Sequence, residues 1–134
     1  METENKRTLR LLAVDDDAAS AELIVRVAER CGYEAFATSD SRGVVNLAGA
    51  LSPDIMAVDI NMPNIDAAGL FQLLAAAQYK GRILIVSGED VSVLAETQKK
   101  AEALGLSVPY VQQKPLDFQK LRAMLMAQDV RSAA

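Results

Sequence analysis

The sequence contains no histidine and no tryptophan, and its single cysteine is Cys31. Without histidine the chain cannot build a Ser-His-Asp or Cys-His catalytic centre, an imidazole metal site or a phosphohistidine of its own. One cysteine excludes an internal disulfide and a paired-cysteine metal or redox motif. Such cysteine usage is typical of a reducing compartment, and we therefore expect a cytoplasmic protein.

Long hydrophobic runs and positive charge are also scarce. No segment approaches the roughly 20 apolar residues of a membrane span. The short apolar run after the first basic residues stops at three aspartates, which is not the pattern of a signal peptide. The net charge of −4 argues against a basic surface for nucleic acid or anionic lipid. We expect no direct nucleic-acid partner and no membrane partner.

The chain does have enough apolar sequence for one domain. Its 134 residues are 51% hydrophobic and 24% charged, close to ordinary globular proteins. A compact fold of this length buries roughly two thirds of the surface of its unfolded chain. We interpret residues 1–7 as a disordered lead-in, residues 8–128 as the folded domain and residues 129–134 as a tail.

Two kinds of apolar pattern alternate along the domain. Short apolar runs that end in polar residues predict buried strands, and segments with apolar residues at helical spacing predict helices. The strands are predicted at 9–14, 33–38, 55–58, 82–86 and 108–112, and the helices at about 18–31, 41–50, 67–78, 91–104 and 118–128. In the last helix Phe118, Leu121 and Leu125 are predicted to face the core. This order indicates one α/β domain with a parallel sheet covered by helices on both faces.

Chemically reactive side chains follow four of the five predicted strands. Each alone has an ordinary explanation, as a turn residue, a helix cap or a solvated lysine. Together they should meet, because the carboxyl ends of parallel strands lie at one edge of the sheet, where such folds bind ligands. The residues are Asp15, Asp16 and Asp17 after the first strand, Asp59 after the third, Ser87 after the fourth and Lys114 after the fifth.

These residue types suit phosphoryl transfer. A cluster of carboxylates repels itself unless a cation compensates it, and hard oxygen ligands favour Mg²⁺. A lysine and a hydroxyl near that cation would hold the remaining oxygens of a phosphoryl group. An aspartate can itself act as the nucleophile and form an aspartyl phosphate.

In this combination the chain resembles the receiver domain of two-component response regulators, the CheY-like family. The resemblance rests on Val14-Asp15-Asp16, on the run DINMPNID at residues 59–66, on Ser87 and on Lys114-Pro115, and it covers about residues 8–127. It implies a flavodoxin-like, doubly wound (βα)5 fold with strands in the order 2-1-3-4-5.

The resemblance also implies roles for individual residues. Asp59 would be the phosphoacceptor. Asp16, Asp59 and the backbone carbonyl of Asn61 would hold Mg²⁺, with Asp15 acting partly through water. These residues form the implied metal site.

Further roles concern the phosphoryl group and its lifetime. Ser87 and Lys114 would each contact a phosphoryl oxygen, and the Lys114-Pro115 peptide bond would be cis. Asn61 and Glu89, at the mouth of the site, would tune dephosphorylation. The phosphoryl donor would be the phosphohistidine of a histidine kinase or phosphotransfer protein. The receiver would catalyse only its own phosphorylation and dephosphorylation, and it would contact an effector or a second receiver through helix 4, strand 5 and helix 5.

Three residues depart from the family pattern. Ala67 stands where a glycine is usual, and a left-handed backbone there would cost roughly 1 kcal/mol, which predicts a rebuilt loop. Gly88 replaces the usual alanine beside Ser87. Val111 occupies the position of the switch aromatic, whereas Tyr110 is one place off and should point to the opposite face of its strand. These departures predict intact chemistry with weakened output coupling.

Other functions fit the sequence less well. A phosphohydrolase with Asp59 as nucleophile would need an acid two residues later, and that residue is Asn61. A flavin carrier would need a Ser/Thr/Gly-rich phosphate loop after the first strand. A phosphorylation-independent adaptor remains open, as does the N-terminal receiver of a longer regulator whose effector domain is absent here.

Overall fold

The computed structural model describes residues 8–62 and 66–133, with side chains through residue 127. The predicted lead-in at 1–7, the last residue of the predicted tail, and Pro63, Asn64 and Ile65 of the DINMPNID run lie outside the described residues. The strands are β1 (Arg10–Val14), β2 (Glu34–Thr38), β3 (Ile55–Asp59), β4 (Arg82–Ser87) and β5 (Ser107–Gln113). The helices are α1 (Ala18–Arg30), α2 (Val44–Leu51), α3 (Ala67–Ala76), α4 (Val91–Ala103) and α5 (Phe118–Ala133).

The strands form one parallel sheet in the order β2-β1-β3-β4-β5, which confirms the predicted topology. The register brings the carboxyl ends of neighbouring strands level. Val14 pairs with Val58, and Asp59 pairs with Val86. Ser87 at the end of β4 pairs with Gln113 at the end of β5. Residues that follow these strands therefore emerge side by side along one edge.

Two apolar layers cover the two faces of the sheet. One layer packs Met56 and Val58 of β3 against residues of α2, α3 and α4, including Leu74. The other packs Ile55 and Ala57 of the same strand against α1 and α5. Successive residues of β3 point to opposite faces, and all of them are buried. This is the expected pattern of a central parallel strand, which is covered on both faces.

Some elements differ from their sequence prediction. The helix predicted at 41–50 begins with a 3-10 turn at Ser41–Gly43, and the α-helix follows from Val44. The carboxylate of Asp40 caps this turn. Helix α5 continues to Ala133, beyond the end predicted at residue 128. The prediction that Phe118 faces the core is wrong, because its side chain is 55% exposed. Phe118 lies in the first turn of α5, where it lines a surface cavity of about 290 Å³ against α1, while the following turns face the sheet.

None of the helices in the described part of the chain is long and apolar enough to cross a membrane.

Candidate functional site

The structure brings the predicted acidic residues together at the carboxyl edge of the sheet. Asp15 follows β1 directly, and Asp59 is the last residue of the neighbouring strand β3. Asp15, Asp16 and Asp59 each offer a carboxylate oxygen within 4.8 Å of the other two. Asp15 and Asp59 are buried, whereas Asp16 is exposed. The cluster therefore has two buried carboxylates on its inner side and one carboxylate that faces the solvent.

Backbone amides orient the two buried carboxylates. The amide of Asp17 donates to Oδ1 of Asp15 at 2.9 Å, and the amide of Asn61 donates to Oδ1 of Asp59 at 2.8 Å. Asp17 in turn begins α1, since its own carboxylate accepts from the amide of Ala19 at 3.0 Å. In each buried carboxylate the backbone of the following turn therefore fixes Oδ1, and Oδ2 remains for another contact.

Lys114 connects the two remaining oxygens. Its Nζ lies 3.1 Å from Oδ2 of Asp59 and 3.1 Å from Oδ2 of Asp15. Burial lowers the pKa of Lys114, but the hydrogen bond with Asp59 and the ion pair with Asp15 outweigh it and raise the pKa. Burial is also the largest influence on Asp15, and it raises the pKa of that carboxyl despite the amide of Asp17 and Lys114.

This ion pair means that the acidic cluster is partly compensated even without a bound cation. The ammonium of Lys114 already neutralises part of its charge, which the sequence pattern alone does not indicate. Lys114 contacts two of the three carboxylates and supplies a single positive charge, so the cluster keeps an excess of negative charge. An oxygen-only donor set with one open side fits Mg²⁺, which retains several waters when protein carboxylates bind it.

Ser87 and Lys114 lie at adjacent strand ends. The Ser87 side chain is fully buried, and its Oγ accepts a hydrogen bond from the amide of Glu89 at 3.0 Å. The amide of Lys114 donates to the carbonyl of Ser87 at 2.7 Å. The Lys114-Pro115 peptide bond is cis, as the resemblance implies.

The two proposed tuning residues, Asn61 and Glu89, are exposed beside these groups. Between them, Gly88 leaves open space, because a Cβ added there would meet only Nδ2 of Asn61, at 3.9 Å. The usual alanine would therefore fit at this position. Its absence widens the mouth of the site.

The other two departures from the family pattern have different outcomes. Ala67 is the first residue of α3 and does not have a positive φ, so the backbone strain expected there does not arise. Val111 packs on the α2–α4 side of the sheet and Tyr110 on the α1–α5 side. The prediction that Tyr110 points away from the position of Val111 is confirmed.

Sequence reasoning missed one contact at this edge. The side-chain amide of Gln113 donates to the carbonyl of Glu89 at 3.0 Å, from β5 to the loop between β4 and α4. A polar residue before a Lys-Pro pair carries no motif of its own. Only the register of β4 against β5 could have indicated this contact.

Comparison with known proteins identifies the family and supports the fold. The family model described as the response regulator receiver domain matches residues 11–126. A response regulator from Colwellia psychrerythraea is 26% identical, with a TM-score of 0.81 over 93% of this chain and 99% of that one. The receiver domain of the Francisella response regulator 1452 is 20% identical, with a TM-score of 0.78 over the same shares, and it shows the fold alone.

Among curated proteins, the cell cycle response regulator CtrA of Brucella ovis is 25% identical over 119 residues, which is 89% of this chain. The chain spans about half the length of this relative, 49% of it. The family match covers most of the chain and includes the acidic residues, Ser87 and Lys114. The protein therefore belongs to the response regulator receiver domain family.

Proposed function

We propose that this receiver accepts a phosphoryl group on Asp59 from the phosphohistidine of a histidine kinase or phosphotransfer protein, with Mg²⁺ bound beside it. The observation that carries the proposal is the position of Asp59. Its carboxylate ends a central strand within reach of two further carboxylates and in direct contact with the ammonium of Lys114. This arrangement supplies a nucleophile, oxygen ligands for a cation and a counter-charge for a phosphoryl group.

The chemistry is a displacement at phosphorus. A carboxylate oxygen of Asp59 forms the new bond to phosphorus as the bond between phosphorus and the donor's imidazole nitrogen breaks, and the electron pair leaves with the donor. When bound, Mg²⁺ supplies positive charge for the phosphoryl oxygens. Asp15, Asp16, Asp59 and the backbone carbonyl of Asn61 are the residues that would hold it.

Lys114 and Ser87 stabilise the product. After transfer, the ammonium of Lys114 faces a phosphoryl oxygen with more negative charge than the carboxylate it now contacts. The hydroxyl of Ser87 has a proton that it can donate to a second oxygen, and its loop must rearrange for this because the side chain is now fully buried. The protein acts on no separate substrate and catalyses only its own phosphorylation and dephosphorylation.

The signal leaves through the face formed by α4, β5 and α5. Large apolar side chains are exposed on two of these elements, with Val91 62% exposed and Val93 37% exposed in the first turn of α4. Met126 of α5 is 41% exposed and its flexible side chain suits adaptable contacts. We propose that an effector or a second receiver binds this face. The alternative function is that of an adaptor that binds its partner without phosphorylation.

Phosphorylation by acetyl phosphate in the presence of Mg²⁺ tests the central proposal. Intact-mass measurement should show the addition of one phosphoryl group to the wild type and none to Asp59→Asn. Asp66→Asn is the matched control, since Asp66 is an exposed carboxylate in the same βα connection, and it should label like the wild type. Equal labelling of Asp59→Asn would assign the phosphoacceptor to another residue.

A further inference from the structure

Residues 88–90 connect the proposed phosphorylation site to α4. Gly88 has no side chain, and the side chain of Asp90 bonds only within the start of α4, to the amide of Val93 at 3.2 Å and the hydroxyl of Ser92 at 2.7 Å. In the described part of the chain, the hydrogen bond from Gln113 to Glu89 is the one that ties residues 88–90 to a neighbouring strand.

Glu89 is held on both sides of its backbone. Its amide donates to Oγ of Ser87 at 3.0 Å, and its carbonyl accepts from Nε2 of Gln113 at 3.0 Å. A movement of the Ser87 hydroxyl that keeps its hydrogen bond with the Glu89 amide would therefore displace a residue that β5 also holds. The residue that holds it directly precedes Lys114, which contacts Asp59.

We infer that Gln113 is a positioning residue that restrains the β4–α4 loop in its resting arrangement and so sets the threshold for switching. This inference rests on the proposed function, because it concerns the loop that must rearrange when Ser87 reaches a phosphoryl group. The bond belongs to the unphosphorylated arrangement, and a rearranged loop gives it up. Its loss shifts the equilibrium because it stabilises one state more than the other.

The magnitude follows from the nature of the bond. A single neutral hydrogen bond at an exposed site changes an equilibrium roughly two- to ten-fold. Removing it should therefore increase the population of the rearranged loop by that factor. The global fold should remain intact, since the side chain of Gln113 is exposed and not part of either apolar layer.

Two variants remove the donor in different ways. Gln113→Met keeps the length of the side chain, and Gln113→Glu keeps its shape while replacing the amide with a carboxylate. Gln119→Met is the control, because Gln119 is another exposed glutamine, on α5. Amide chemical shifts are recorded for each protein in Mg²⁺, with and without beryllofluoride as the phosphoryl mimic.

In both Gln113 variants without beryllofluoride, the amide signals of Gly88, Glu89 and Asp90 should move along the line toward their positions in the beryllofluoride-bound wild type. The beryllofluoride concentration needed to complete the change should be roughly two- to ten-fold lower in these variants than in the wild type. Gln119→Met should reproduce the wild type in both respects. A merely structural role for Gln113 would scatter these signals without this direction.

The outcomes separate the two claims. If the wild type responds to beryllofluoride but the Gln113 variants do not shift toward the bound positions, Gln113 does not restrain the loop and the proposed function stands. If the wild type does not respond at Asp59 and Ser87 at all, the proposed function is wrong, and the inference about Gln113 is wrong with it.

Discussion

The ammonium of Lys114 lies 3.1 Å from Oδ2 of Asp59, and the two residues are 55 positions apart in the chain. The same Nζ lies 3.1 Å from Oδ2 of Asp15. The unphosphorylated site is thus already partly neutralised by the residue that should later contact the phosphoryl group. We therefore expect Lys114 to contribute both to resting stability and to the response, and the two contributions can be measured separately.

Replacing Lys114 by alanine should destabilise the protein when Mg²⁺ is absent. Two buried carboxylates then lose their charged partner, which costs about 1–3 kcal/mol. Mg²⁺ should still bind and should raise the thermal midpoint by more than in the wild type. The response to beryllofluoride should be largely lost. Lys120→Ala, on the exposed surface of α5, is the control; a Lys114→Ala protein that responds to beryllofluoride like the wild type would contradict the role.

Mg²⁺ should stabilise the wild type by mass action. At about ten times its dissociation constant, the expected rise in thermal midpoint is roughly 4–7 °C. Asp16→Ala should abolish this rise, because Asp16 is the solvent-facing carboxylate of the cluster. Glu96→Ala, which removes an exposed carboxylate on α4, should keep it. A full Mg²⁺ shift in Asp16→Ala would place the cation elsewhere.

The lifetime of the phosphoryl group should depend on Asn61. Its side chain is exposed at the mouth of the site, next to the open space at Gly88. Asparagine can orient water but cannot take a proton from it. Asn61→Arg and Asn61→Met should change the decay rate of the phosphorylated protein several-fold with the fold intact, as followed by intact mass over time. Decay rates equal to the wild type in both variants would remove Asn61 from this role.

Intrinsic switching should be weak because Val111 replaces the switch aromatic. Val111 is half-buried beside Ile85 of β4, and it is too small and too stiff to fill the space that a moving Ser87 hydroxyl leaves. Beryllofluoride should therefore cause large amide shifts near the site only. Equally large changes across residues 91–128 without a partner would show that coupling is not weakened.

Restoring an aromatic side chain at position 111 should strengthen the coupling. Val111→Tyr should extend the beryllofluoride-induced shifts into α4, because an aromatic ring can fill the vacated space. Tyr110→Phe is the control, since Tyr110 packs on the opposite face of the sheet. If Val111→Tyr leaves the pattern of shifts unchanged, the size of this side chain does not limit coupling.

The sequence by itself determined the order of elements and the chemistry of the strand ends. Buried parallel strands such as β3 read as short apolar runs, and polar turn residues such as Asp59 mark where they stop. Helices between successive strands indicate a parallel sheet, and parallel strands have all their carboxyl ends at one edge. For that reason the sequence alone identifies Asp15, Asp16, Ser87 and Lys114 as candidate site residues.

Only the tertiary structure decided how these residues are paired. That Lys114 contacts both aspartates, and that Gln113 reaches Glu89, depends on the register of strands far apart in sequence. Local patterns do not carry this information, because a shift of one residue would reverse the faces without altering any propensity. The exposure of Phe118 also depends on the tertiary structure. It is set by where α5 lies against α1 and not by the apolar character of the side chain.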